Sequence, residues 1–154
     1  MQTSFNLNRN EGRLSKPYNV LGMEVYLKVA GSDTNGQMSM FYAEYSKNQG
    51  PPLHLHDVDE TFYITEGEFI YQLGEKRVTA VTGSTVFIPR MMPHAFLTIS
   101  EKGCMLFMVN PTGNVEMLFE RLSSFQEMPS IDEVVRVHEE FGFKIVGPPL
   151  TQEL

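Results

Sequence analysis

The sequence predicts a mainly β domain, a small jelly-roll barrel of about eight strands with C-terminal helices packed outside it. Three observations carry that expectation. Short runs of β-branched and aromatic residues recur between Gly and Pro turns from Tyr18 to Asn110. The periodicity changes from strand to helix only after Asn110-Pro111-Thr112-Gly113, and 154 residues suffice to bury one core without a disulfide or structural metal. The expected organisation is therefore one domain over residues 1–154, with a barrel core at about 18–110 and a helical extension at about 114–154.

Residues 1–16 are polar and aperiodic and suit an arm or an outer strand. Tyr18 to Val29, interrupted by Gly22, reads as two short strands, followed by a loop over 31–36 and a strand from Gln37 to Tyr45. Pro51 and Pro52 cannot donate to a ladder, which places them at the lip of a barrel. Glu66-Gly67 fits a two-residue hairpin turn pairing Thr61–Thr65 with Glu68–Leu73, with Ile64 opposite Phe69 and Phe62 opposite Tyr71. Those four side chains then share the face of Glu60, as core or as pocket wall. Gly74-Glu75 turns the chain into Arg77–Val81, and Gly83 precedes Ser84–Ile88, which together make a meander. His94, Phe96 and Thr98 share a parity on the next strand, and Cys104 to Asn110 forms one more. Asn114 caps a helix to about Phe125. Ser130-Ile131-Asp132-Glu133 is a capping box for a second helix, through Phe141 and ended by Gly142. Its stripe of Ile131, Val134, Val135, His138 and Phe141 makes His138 a packing residue.

A formal charge of -7 and a pI near 5.0 leave no electrostatic footprint for nucleic acid or an anionic membrane. No apolar segment approaches the roughly 20 residues that span a bilayer. The expected partner is a small molecule. Cys104 alone cannot form an internal disulfide, and the stretch from Met1 to Asn6 lacks the basic and apolar regions of a secretory signal, so a cytoplasmic location is expected. Cys104 lies in an apolar run and reads as a buried strand cysteine. Ten methionines and outward-facing residues such as Tyr63 and Met117 suggest an apolar patch suited to a homodimer interface.

The chemistry concentrates in His54, His56 and Glu60, with His94 supplied from a second Pro-bounded stretch; the chain has four histidines in all. Side chains alternate along a strand, so the first three share a parity once a bend is allowed between them. Three imidazoles and one carboxylate would converge. Mixed nitrogen and oxygen ligation points to one divalent first-row transition ion, iron, manganese, cobalt, nickel, copper or zinc, and away from calcium and magnesium. Four protein ligands leave an octahedral ion two open positions.

The two stretches resemble the paired signatures of the cupin family. His54, His56, Glu60 and Gly67 match G-x5-HxH-x3-4-E-x6-G, while Gly83, Pro89 and His94 match G-x5-PxG-x2-H-x3-N. Three positions depart: Gly50 stands three residues before His54, Met91 replaces the central glycine and Thr98 replaces the asparagine. Phe143 to Leu150 resembles tails of small quercetin-dioxygenase-like cupins. The resemblance implies a metal held by His54, His56, Glu60 and His94, and a dioxygenase acting on an aromatic or apolar enol or phenol, with dioxygen as co-substrate. Glu60 would be ligand and base, and Phe62, Ile64, Phe69, Tyr71, Phe96 and Thr98 would surround the substrate. Oxalate-degrading cupins place an arginine just upstream of HxH, where this chain has Gly50, Pro51 and Pro52; Arg90 is a further candidate for binding a carboxylate. Two other readings stay open, a barrel that binds or senses a small ligand without turnover and a metal-dependent sugar isomerase or epimerase.

Overall fold

The computed structural model describes residues 3–153; Met1 and Gln2, part of the expected N-terminal arm and secretory-signal reading, lie outside the described residues. The described strands are β1 (Tyr18–Val20), β2 (Met23–Val29), β3 (Ser39–Ser46), β4 (Pro52–Leu55), β5 (Asp59–Glu66), β6 (Glu68–Leu73), β7 (Lys76–Val81), β8 (Thr85–Ile88), β9 (His94–Thr98), β10 (Lys102–Asn110) and β11 (Lys144–Pro149). Two helices, α1 (Val115–Ser123) and α2 (Ile131–Glu140), lie between β10 and β11. One sheet runs β1-β2-β3-β10-β5-β8 and the other β11-β4-β9-β6-β7, both antiparallel. This is the predicted jelly roll, with eleven described strands against about eight expected, β1 and β11 lying at sheet edges.

The meander between residues 59 and 88 is overturned. β5 pairs with β10 and β8, whereas β6 pairs with β9 and β7, so Glu66-Gly67 is a corner between sheets and not a hairpin turn. Gly67 has φ 86°, and a Cβ there would lie 2.4 Å from the Lys102 carbonyl oxygen and 2.9 Å from Gly103 Cα. The chain is pressed against β10 at that point, and only glycine fits the approach. The inward face nevertheless stays as expected, because both sheets turn their alternate residues to the same interior. Phe62 is 3 % exposed, and Ile64, Phe69 and Tyr71 are 0 % exposed. The β6–β7 hairpin, with Leu73 opposite Lys76 across Gly74-Glu75, is as the sequence indicates.

The arm over the described part of residues 3–16 has no strand. It is tied to the barrel through Arg13 N–H to the Leu27 carbonyl (2.7 Å), an Arg13–Asp33 ion pair (2.8 Å) and the Lys28 ammonium, which donates to the carbonyls of Asn8 (2.7 Å), Arg9 (2.6 Å) and Glu11. Cys104 is buried in β10, in a small cluster with Tyr26 and Tyr42. Ser130 and Glu133 form the expected capping box on α2. Asn114 does not cap α1 with its side chain; its Nδ2 donates to the Phe141 carbonyl (3.1 Å) and so links the two helices. The buried residues of α2 are Val137 and His138, while Ile131 is 83 % exposed, so the expected stripe is rotated. Among the described residues, no helix is long and apolar enough to cross a membrane.

Candidate metal centre

His54 sits on β4, whose lead-in is fixed by Pro51 and Pro52, and pairs directly with His94 at the start of β9. The chain then bends at Asp57-Val58, which returns Glu60 on β5 to the side on which His56 lies. One donor atom from each of His54, His56, Glu60 and His94 lies within 4.8 Å of the others. His56, Glu60 and His94 are buried; His54 keeps some accessible surface on the cavity it lines.

The hydrogen bonds behind the rings decide whether this set fits a metal. Each Nδ1 faces a backbone carbonyl: His54 that of Pro52 (2.8 Å), His56 that of Val58 (3.1 Å) and His94 that of Met92 (2.8 Å). A carbonyl only accepts, so each Nδ1 carries the proton and the neutral ring presents its Nε2 lone pair to the common centre. Metal-binding histidines are held in this way. Glu60 Oε2 lies 3.1 Å from His56 Nε2 and 2.8 Å from His94 Nε2, so a divalent ion would replace protons that these contacts otherwise require. The residues fit a transition ion of the nitrogen- and oxygen-ligating kind.

The electrostatics agree. Burial pushes the Glu60 carboxyl up, but His56 and His94 more than offset it and hold the group below the usual carboxylate range. Burial, and then the nearby His94, push His54 down to about 3. Burial lowers His94 too, but its hydrogen bond and charge interaction with Glu60 leave it raised overall. The set is thus an anionic ligand beside imidazoles that can serve as neutral donors.

The centre opens on a cavity of about 80 Å³ between the barrel mouth and the C-terminal helices. Its walls are mostly apolar, with Phe62, Phe96 and Phe107 from the sheets and Leu118 and Leu122 from α1. Phe62 and Phe96, two of the residues expected around a substrate, line this cavity. Ile64, Phe69, Tyr71 and Thr98 are fully buried and do not form its wall; Thr98 Oγ1 donates to the Gln49 carbonyl (3.0 Å) and not toward the centre. Arg90 is held by Asp59, through Nε (3.2 Å) and Nη2 (3.2 Å), and so pins the loop before His94 to the strand that carries Glu60. Met91, in the place of the motif's glycine, has φ 67° and donates its N–H to the His56 carbonyl (2.7 Å).

Sequence reasoning left two contributors unassigned to the site. Phe143, which precedes β11, packs edge-on against His56 with ring centroids 5.1 Å apart. His138, read as a packing residue, is buried as expected, but it also lines the cavity. The signal for Phe143 was the Phe143–Leu150 tail, whose β11 pairs Ile145 with His54.

Residues 41–110 match the Cupin domain family. No curated protein matches the chain. Among solved structures, a predicted oxalate decarboxylase from Thermotoga maritima superimposes with a TM-score of 0.62 at 16% identity, covering 70% of this chain and 99% of that one. An RmlC-like cupin from Shewanella frigidimarina gives a TM-score of 0.60 at 18% identity, covering 73% and 96%. The polyketide cyclase RemF from Streptomyces resistomycificus gives 0.57 at 22% identity, covering 71% and 80%. These likenesses establish the fold, and their chemistries differ. The family match is confined to residues 41–110, and the two-sheet topology with the structural likenesses shows a cupin-type fold.

Proposed function

We propose that the chain is a metal-dependent dioxygenase, quercetinase-like in chemistry, acting on a small enol, diketone or phenol. The observation that carries this reading is the placement of three imidazoles and a carboxylate on the wall of a largely apolar cavity. A transition ion held by His54, His56, His94 and Glu60 supplies Lewis-acid and electron-transfer chemistry when bound. The protein's own part is orientation and exclusion of water. Phe62 and Phe96 flank the ligand, Phe143 closes the His56 side, and Glu60, ionised and with Oε1 left without a protein partner among the described residues, is placed to take the enol proton. In the reaction one carbon–carbon bond breaks and both atoms of dioxygen enter the products, so no external reductant is needed.

The cavity size narrows the substrate. At about 80 Å³ it is smaller than the roughly 150 Å³ that accommodates benzene in an apolar protein interior, so a short open-chain diketone suits it better than a ring compound such as catechol or a flavonol. The walls also offer few hydroxyl partners of the kind a sugar needs. Oxygen uptake by protein loaded in turn with iron, manganese, cobalt, nickel and copper, with acetylacetone, catechol and a flavonol as substrates, tests the reading. Uptake that requires metal, substrate and His56 supports it. Ligands that bind and are recovered unchanged would refute turnover and leave a binding or sensing barrel, and conversion without oxygen would point to isomerase chemistry.

A further inference from the structure

We propose that His138 is a ligand-binding residue, accepting a hydrogen bond from an O–H donor at the end of the ligand away from the metal centre. The inference rests on the cavity being a ligand site, as argued above, and adds a requirement on what fills it.

His138 is carried by α2, outside both motifs, and is 6 % exposed. Its Nδ1 lies 2.7 Å from the carbonyl of Val134 on the same helix. That carbonyl only accepts, so Nδ1 carries the proton and Nε2 of the neutral ring carries a lone pair. Burial holds the imidazole below its ordinary value, which keeps it neutral near pH 7. Nε2 has no hydrogen-bond partner among the described residues, although no sealed side-chain nitrogen or oxygen there lacks one. It is therefore among the atoms that reach open space, and the ring lines the cavity.

Phe143 connects this group to the centre. Its ring packs 6.3 Å from that of His138 and 5.1 Å from that of His56. The ligand space is thus bounded by the metal ligands on one side and by a lone acceptor on another, with apolar walls between. Tyr45 also lines the space, but its hydroxyl both donates and accepts and does not discriminate. A buried acceptor facing an apolar space favours a partner that donates. The fitting ligand chelates through a diketone or its enol and carries a further hydroxyl.

Zinc-loaded protein separates this proposal from the oxygenase reading, because zinc does not support redox turnover. The probes are acetylacetone and 1-hydroxypentane-2,4-dione, which differ by one terminal hydroxyl, measured by calorimetry. The parent is expected to bind the hydroxylated diketone about fivefold more tightly, the effect of one net hydrogen bond. His138→Leu removes that preference while zinc content stays at the parent level, and His138→Gln, which keeps an acceptor, restores part of it. A parent without the preference, or the same preference in His138→Leu, overturns the proposal while leaving the ligand site intact. Failure of both diketones to bind the zinc-loaded parent overturns the proposal and the small-ligand reading together.

Discussion

Replacing Gly50 by alanine tests how the barrel holds His54 against His94. A Cβ at this position would stand 1.9 Å from the Phe96 carbonyl oxygen, 2.9 Å from Phe96 C and 3.4 Å from Leu97 Cα. All three atoms are backbone of β9, so no side chain can swing aside, and the lead-in to β4 must retreat by about 1.5 Å to reach ordinary contact. Three hydrogen bonds seat this lead-in on β9: Thr98 N–H to Gln49 O (2.9 Å), Asn48 N–H to Thr98 O (2.8 Å) and Thr98 Oγ1 to Gln49 O (3.0 Å). At about 1 kcal/mol net each, their loss costs about 3 kcal/mol. For a chain of this size that lowers Tm by about 6 to 12 °C. The displacement also propagates to His54, which pairs with His94 four residues further along. Metal sites tolerate about 0.2 Å in ligand distance, so affinity should fall at least about tenfold although no ligand has changed. Circular-dichroism melts in chelator, with zinc titrations by calorimetry, provide both readouts. A variant melting within about 2 °C of the parent, with parental zinc affinity, would refute the claim that this approach sets the site.

Other consequences can be measured separately. His56→Ala should purify with little transition metal by elemental analysis, where the parent carries about one equivalent per chain; equal metal in both would remove His56 from the site. Met91→Gly should raise Tm by about 1 to 4 °C, because it relieves about 1 kcal/mol of left-handed backbone strain at a residue whose side chain is 55 % exposed; a lower Tm would mean that the Met91 side chain contributes more than its exposure indicates. In metal-free protein His54 is neutral when folded but takes up a proton when unfolded below its ordinary value near 6.5. The unfolded state then binds more protons, so stability should fall on acidification from about pH 6 to pH 4, by on the order of 1 kcal/mol per unit from this group. His94 works the opposite way, its contribution present below the ordinary histidine value and lost as pH rises through its raised one, so it acts above this window and leaves the acid slope to His54. Urea midpoints that rise on acidification would contradict that sign. We propose that Tyr63 and Phe87, 47 % and 58 % exposed, would form the contact of the expected homodimer, so that Tyr63→Ser with Phe87→Ser leaves a monomer by light scattering; a parent that is already monomeric at high concentration ends that idea.

What the sequence made legible is what strand alternation encodes. His54, His56, Glu60 and His94 converge as their parity and the two motifs indicate, and the inward face of Phe62, Ile64, Phe69 and Tyr71 is correct. Which strands pair was not legible at Glu66-Gly67. A hairpin turn and an inter-sheet corner ask for the same glycine, and both turn the same alternate residues inward. What separates them is the contact of Gly67 with Lys102 and Gly103, distant in sequence. The same limit explains Ile64, Phe69, Tyr71 and Thr98. Parity says that they point inward, but how deep they lie depends on where along the barrel axis the cavity ends.

The departures from the motif turn out to have local physical answers. The backbone at Met91 is left-handed, as the motif's glycine would allow freely, so the turn is kept at the cost of strain in the residue whose N–H holds the His56 carbonyl. Gly50 stands nearer to His54 than the motif has it and allows the close approach to β9. The asparagine's place is taken by Thr98, whose hydroxyl holds the Gln49 carbonyl, beside that same glycine. Two of the three departures therefore act together on one strand crossing, the crossing that brings His54 to His94. If that is their role, restoring asparagine at position 98 should not improve metal binding. Thr98→Asn is expected to lower Tm by about 2 to 8 °C, since it enlarges a side chain that is 0 % exposed. A gain in zinc affinity in that variant would show instead that the position acts on the metal centre directly.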